Sequence, residues 1–321
     1  MGFSLKELKY KGKYLIYLAE KELTGPWFSF KLENKTIGTI PVILKNIEPT
    51  PIYNMVNSRM GSTINRITLD FNISEYLKKM IEEKKLKPIS FGSKECVRVF
   101  IDIFNRPKIP YINTFFTIKN TSNFDLNDFS MYFIFDFDIN GLSGYDNDLS
   151  GYNEEYDIIY QYDDSGLHGG FSPTSKSTFF ETTLTKDFKI DMEKLNLSNT
   201  LHGRAGEILS ALQIGFKTLE PDNSFQTALV ISGGLNKEEL FHNIREGKIN
   251  AMKYLHQVNR SVKSEQRNLQ EEAFIKLNRK QAEDCEWKKI YYNDSNKKIP
   301  FEESYLMKTL LGYIDLFKIL K

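Results

Sequence analysis

Met131-Tyr132-Phe133-Ile134-Phe135-Asp136-Phe137-Asp138-Ile139 is an almost unbroken run of aromatic and apolar side chains, interrupted by two aspartates. Aromatic side chains suit a pleated, half-buried surface, so the run reads as a β-strand. On a strand, Asp136, Asp138 and Asn140 share one face, with Phe135, Phe137 and Ile139 on the other. A loop of Gly, Asp and Ser follows from Asn140 to Gly151, then a second strand, Ile158-Ile159-Tyr160-Gln161-Tyr162, then a second loop from Asp163 to Gly170. Strand signals continue on both sides. Val97, Val99, Ile101 and Ile103 alternate with Arg98, Phe100 and Asp102, and Phe115 to Thr121 follows. Beyond the loops come Phe179-Phe180-Glu181, Ile208 to Phe216, and Ala228 to Ser232, which Gly233-Gly234 closes.

Nearer the N-terminus, Tyr14 to Leu18 and Phe28 to Leu32 are short β runs, separated by turn chemistry at Gly25-Pro26 and Asn34-Lys35. Pro41 to Leu44 is another, and Ile64 to Phe71 alternates with Ile67, Leu69 and Phe71 on one face. Glu75 to Lys87 differs: Tyr76, Leu77, Met80 and Ile81 recur at helical spacing, with Ser74 as N-cap and Pro88 as the stop. Many strands with turns at short intervals predict a mainly β protein, a large two-sheet antiparallel sandwich and not a parallel βαβ sheet. The texture changes after Gly233. Asn236 to Arg245 predicts a helix capped by Asn236, Ile249 to Asn278 a long amphipathic one, and Phe301 to Leu320 a third. The expected division is a β domain over residues 1–245 and a helical tail over 246–321.

With 43 basic and 42 acidic residues the net charge is +1, which gives no electrostatic case for nucleic acid or an anionic membrane as partner. Cys96 and Cys285 form no CxxC motif and no disulfide framework. Met1 to Glu7 has no basic start followed by an apolar run, and no apolar run is long enough to span a bilayer, so the expected location is the cytoplasm. The 24 Phe and 17 Tyr supply a core, and also flat faces on which sugar rings can stack.

The ordered series Phe135-Asp136-Phe137-Asp138-Ile139-Asn140-Gly141, Tyr145-Asp146-Asn147-Asp148 and Ile158 to Asp163 resembles the N-terminal β-supersandwich of prokaryotic glucoamylases and glucodextranases. Phe115 to Thr121, Leu219-Glu220-Pro221, Ala228 to Gly234 and Lys237-Glu238-Glu239 follow the family's order over roughly Lys9 to Arg245. The resemblance implies a galactose-mutarotase-like fold. It implies that the tail, with Trp287 and the segment Glu302 to Leu316, corresponds to the linker helix and opening of an (α/α)₆ barrel. The family's catalytic carboxylates lie deeper in that barrel, on segments this chain lacks, so no catalytic residue carries over.

Asp136-x-Asp138-x-Asn140-Gly141 matches the opening of an EF-hand loop, which makes Asp136, Asp138, Asn140, Asp146 and Asp148 candidate Ca²⁺ ligands. The twelfth position is Asn147 and not Glu, and the flanks are strand-like, so a polar face closed by Asx turns is the competing reading. No other cofactor is expected. Asp146, Asp148, Glu154, Glu155, Asp157, Asp163 and Asp164 read first as a solvated loop face, and second as a source of the paired carboxylates that glycoside hydrolysis uses. His168 and His202 sit in Gly-flanked loops; with a carboxylate such as Asp163, either could open a sugar ring as a mutarotase does. The function expected from all this is a non-catalytic carbohydrate-associated module. It would bind glucan-type sugars, or support a separate glucoamylase-like catalytic chain. The alternatives are a mutarotase-type enzyme and a pure protein-interaction scaffold.

Overall fold

The computed structural model describes residues 7–17, 23–34, 38–45, 52–59, 62–83, 95–105, 109–144 and 146–264. Two large antiparallel sheets carry the fold. One has six strands: β3 (Gly25–Asn34), β4 (Gly38–Leu44), β9 (Leu126–Asp136), β13 (Phe179–Leu184) and β14 (Ile208–Gly215) run in the order β13-β14-β9-β3-β4, and short β15 (Thr218–Leu219) extends the pairing of β9. The other has eight strands: β5 (Ile52–Arg59), β6 (Ser62–Asn72), β7 (Cys96–Asn105), β8 (Tyr111–Asn120), β10 (Leu149–Asn153), β11 (Ile158–Tyr162), β12 (His168–Pro173) and β16 (Ser224–Gly234), in the order β10-β11-β12-β16-β8-β7-β6-β5. A separate hairpin, β1 (Glu7–Tyr10) and β2 (Lys13–Tyr17), adds Tyr10, Leu15 and Ile16 to the core. Helix α1 spans Ile73–Glu83 and α2 spans Lys237–Ser264. The two-sheet antiparallel sandwich expected from the strand pattern is the observed architecture.

Aromatic rings join the sheets across the interior. Phe28 meets Phe71 with centroids 5.3 Å apart, Phe116 meets Phe133 at 5.2 Å, and Phe135 meets Phe171 at 4.7 Å. The run Met131 to Phe135 is apolar throughout because both its faces are covered. Met131, Phe133 and Phe135 enter the core between the sheets, while Tyr132 and Ile134 pack beneath Ile190, Leu195 and Leu197 on the outer face. The same division operates in β16. Leu229 and Ile231 face inward, and Ala228 and Val230 face Leu240, Ile244 and Ala251 of α2.

Three local expectations change. The ladder of β9 ends at Asp136 and not Ile139, because the next residues turn to the hairpin: Asp138 N–H donates to Leu15 O and Asn140 N–H to Tyr14 O, both at 3.0 Å. Helix α1 begins at Ile73, and its cap is Asn72, whose Oδ1 accepts from Glu75 N–H, and not Ser74. The helices expected on either side of residue 246 are one continuous element, with Gly247 in its middle. A Cβ on Gly247 would stand 2.4 Å from Val230 Cγ1 and 3.0 Å from the Tyr111 ring, so glycine here lets the helix lie close on the sheet. Asn236 does cap α2, accepting from Glu239 N–H at 2.8 Å. Pro88, Cys285, Trp287 and the segment Phe301 to Leu320 lie outside the described residues.

Candidate functional site

The ends of β9, β10, β11 and β12 converge at one end of the sandwich, and most of the residues marked in the sequence lie there. Asn140 and Gly141 both hold positive φ, 65° and 63°, and swing the chain out of β9. Asp136 and Asp138 follow the inward side of this turn, and Asp148 enters β10 beside an isolated bridge to Gly206. These three carboxyls are 2%, 8% and 3% exposed, which overturns the reading of Asp148 as part of a solvated loop face. Asp157 is buried as well, accepting from Tyr152 Oη and Ser177 N–H, whereas Asp146, Glu154, Glu155 and Asp164 do face solvent.

Each buried carboxyl has a backbone or hydroxyl partner. Asp138 Oδ2 accepts from Tyr17 N–H at 3.1 Å, Asp148 Oδ2 from Ile139 N–H at 3.3 Å, and Asp136 Oδ1 from Thr185 Oγ1 at 3.4 Å. Asp148 Oδ1 has no partner among the described residues. Burial raises Asp148 to about 8, reinforced by the charges of Asp138, Asp163 and Asp136. Burial also raises Asp138 to about 6, with Glu207 adding to the effect. At neutral pH the Asp148 carboxyl therefore carries its proton. Among the described residues, no group of three or more His, Cys, Asp or Glu is arranged to hold a metal ion. Asn140 turns its amide to Asp163 Oδ2 and Ser165 Oγ, both at 2.6 Å, as donor.

On the outward side the same loops carry an aromatic face. The β11–β12 pairing sets Tyr162 opposite His168, and their rings lie parallel, 8° apart in plane and 5.0 Å between centroids. Tyr160 adds a third ring 6.1 Å from His168, and Phe241 of α2 meets Tyr160 edge-on at 5.4 Å. Gly151 makes room: a Cβ there would stand 2.4 Å from Tyr160 Cζ. Lys237 Nζ lies 5.4 Å from the Tyr160 centroid. Tyr162 and His168 are half-buried. The His168 Nδ1–H donates to Gly166 O at 2.7 Å, which leaves Nε2 as the acceptor of a neutral ring. Burial holds His168 below the ordinary imidazole value.

His168 and Asp163 thus share one rim, but Asp163 Oδ1 accepts from Ser165 N–H and Oγ, and no hydrogen bond joins it to the imidazole. His202 lies beside β10 and β13 and is held by its backbone, with its N–H on Thr182 Oγ1 and its C=O taking Ser150 Oγ. The rings of Tyr160 and Tyr162 went unmarked in the sequence. Their signal is the five-residue loop Asp163 to Leu167, which brings Tyr162 and His168 face to face once it closes a hairpin.

No helix among the described residues is long and apolar enough to cross a membrane. No protein-family model matches the chain, and no curated protein matches it in sequence. Among solved structures, the chain is similar to a bacterial glucoamylase complexed with acarbose, at 11% identity and TM-score 0.47, over 71% of this chain and 29% of that one. It is similar to a polysaccharide lyase at 11% identity and TM-score 0.40, over 76% of this chain and 32% of that one. A GH36 α-galactosidase of Geobacillus stearothermophilus matches at 10% identity and TM-score 0.32, over 64% of this chain and 30% of that one. The chain spans about a third or less of the length of each.

Proposed function

We propose that this chain is a carbohydrate-associated module with no chemistry of its own, taking glucan-type sugars on the Tyr162–His168 face. The observation that carries this reading is the parallel, half-buried ring pair at the rim, flanked by Tyr160 and Lys237. Flat apolar rings with a few polar groups beside them match a pyranose, which has an apolar C–H face and a polar edge. Asp136, Asp138 and Asp148 are shut inside, and His168 is not bonded to Asp163. A mutarotase-type reaction would need His168 or His202 to act with a loop carboxylate, and loss of anomer equilibration on His168→Ala or His202→Ala would revive it.

The test is thermal unfolding of the purified chain with maltose, isomaltose, trehalose and longer α-glucans. A ligand that binds the native state raises the melting temperature. A shift that disappears in Tyr162→Ala supports this reading, and no shift with any sugar overturns it. The second reading, support of a separate glucoamylase-like catalytic chain, is favoured by Ile249 and Met252, exposed three residues apart on α2. Co-elution with such a catalytic chain, lost in Met252→Arg, is its test.

A further inference from the structure

β16 runs from Ser224, paired with Lys119, to Gly234, paired with His168. Its far end therefore lies roughly 33 Å from the aromatic rim, at about 3.3 Å per residue. A cavity of about 300 Å³ opens there. Phe129, fully buried, and Phe216 and Phe225, half-buried, supply its apolar lining; exposed Thr218, Asn223 and Ser224 supply its polar lining. Phe216 and Phe225 pack with centroids 3.7 Å apart.

The cavity has a structural cause. Asp128 sits at φ 49° in β9, where the pairing with β3 shifts register between Ser29 and Lys31. The chain leaving β14 crosses this bulge, with Phe216 N–H on Phe129 O and Asp128 N–H on Lys217 O. The following turn, with Asp222 at φ 61°, is held from below by fully buried Asn120. Asn120 N–H donates to Asn223 O, Asn120 O accepts from Asp222 N–H, and its Nδ2 donates to Leu219 O and Phe124 O. The wall carrying Asn223 and Ser224 is therefore rigid before any ligand arrives, which lowers the ordering cost of binding. Among the described residues no hydrogen bond engages Ser224 Oγ or Asn223 Oδ1.

We infer that this cavity is a subsite for one pyranose ring of an α-glucan, its C–H face against Phe216 and Phe225 and its hydroxyls on Asn223 and Ser224. A sugar hydroxyl both donates and accepts, as does the Ser224 hydroxyl, while Asn223 Nδ2 donates to Glu220 Oε2 at 2.9 Å and leaves Oδ1 to accept from the ring edge. The inference rests on the carbohydrate reading above and adds a second point of attachment for a chain of sugars.

Ser224→Trp tests it by filling the cavity instead of emptying the core, at an exposed strand position that accepts aromatic residues. Calorimetric titration with maltotriose is run on the parent, Ser224→Trp, Asn223→Ala and Tyr162→Ala, each first shown to melt as the parent does without sugar. Affinity falling at least tenfold in Ser224→Trp and severalfold in Asn223→Ala, with a binding component surviving in Tyr162→Ala, supports the subsite. Parent-like binding by Ser224→Trp and Asn223→Ala overturns the subsite and leaves the carbohydrate reading standing. A parent that takes up none of the sugar overturns both.

Discussion

Gln161 and Ser210 meet across the interior of the sandwich, with Gln161 Nε2 2.8 Å from Ser210 Oγ and also 2.8 Å from Ile208 O. Gln161 belongs to the eight-stranded sheet and Ser210 to the six-stranded one, so this contact is a polar rivet between the layers, as is that of Ser150 Oγ with Thr182 Oγ1 at 2.8 Å. Both residues are fully buried. Removing Gln161 leaves Ser210 Oγ unsatisfied in the interior, which costs about 1 to 3 kcal/mol, whereas removing both partners together can be nearly neutral. Gln161→Leu should lower stability by about 1 kcal/mol or more by that reasoning. Gln161→Leu with Ser210→Ala should recover part of the loss. Urea midpoints of the parent, both single variants and the double variant form the cycle that checks this.

The buried carboxyls make stability depend on pH in a stated direction. Asp148 is raised to about 8 in the fold, well above its unfolded value, so the folded state holds a proton that the unfolded chain releases. Its contribution is fully present below the unfolded pKa and is lost as pH rises through the folded one. Asp138, raised to about 6, acts in the same sense at lower pH. The chain should melt several degrees higher at pH 6 than at pH 8.5, since each kcal/mol is worth about 2 to 4 °C in a domain of this size. Asp148→Asn keeps an acceptor for Ile139 N–H and cannot ionise. It should flatten the dependence above pH 6 and stabilise the chain at pH 8.5. Equal pH slopes in parent and variant would refute the assignment.

Gly247→Ala sets helix propensity against packing. Alanine gains up to about 1 kcal/mol in a helix interior. The new Cβ would stand 2.4 Å from Val230 Cγ1, on a stiff β-branched side chain in β16. Overpacking of this kind costs about 1 to 3 kcal/mol, so the net effect should be destabilising. A chemical denaturation midpoint at or above the parent's would contradict it.

Asn72→Ala removes the cap of α1 and should cost about 1 kcal/mol, within the range of known cap deletions. The readout is the midpoint of urea unfolding, with Ser74→Ala made alongside. A larger loss in the Ser74 variant would return the cap to the position expected from the sequence.

The strands were legible because their patterns are local. Val97, Val99 and Ile101 face the core by simple alternation, and the apolar run at Met131 to Phe135 is unbroken because both of its faces are covered. The site was legible in part. Asp146 and Asp148 lie two residues apart in one loop, yet one is exposed and the other buried, because the bridge to Gly206 draws in the second alone. Nothing local distinguishes them. Phe216 and Phe225 likewise come together only through the bulge at Asp128, a displacement set by pairing between distant strands. The continuity of α2 was hidden because glycine inside a helical pattern reads as a break, and the contact that requires it, with Val230 and Tyr111, is tertiary.

That continuity gives the molecule an angular phase. α2 is one helix of 28 residues, anchored on the sheet by Leu240, Ile244 and Ala251 and unbroken to Ser264. Each residue turns the axis by about 100°, since an α-helix has about 3.6 residues per turn. The direction in which the chain leaves Ser264 is thus dialled by the number of residues since Ala251. One residue inserted after Met252 would swing that exit by slightly more than a quarter-turn, while four would restore it to within about 40° and move it about 6 Å along the axis.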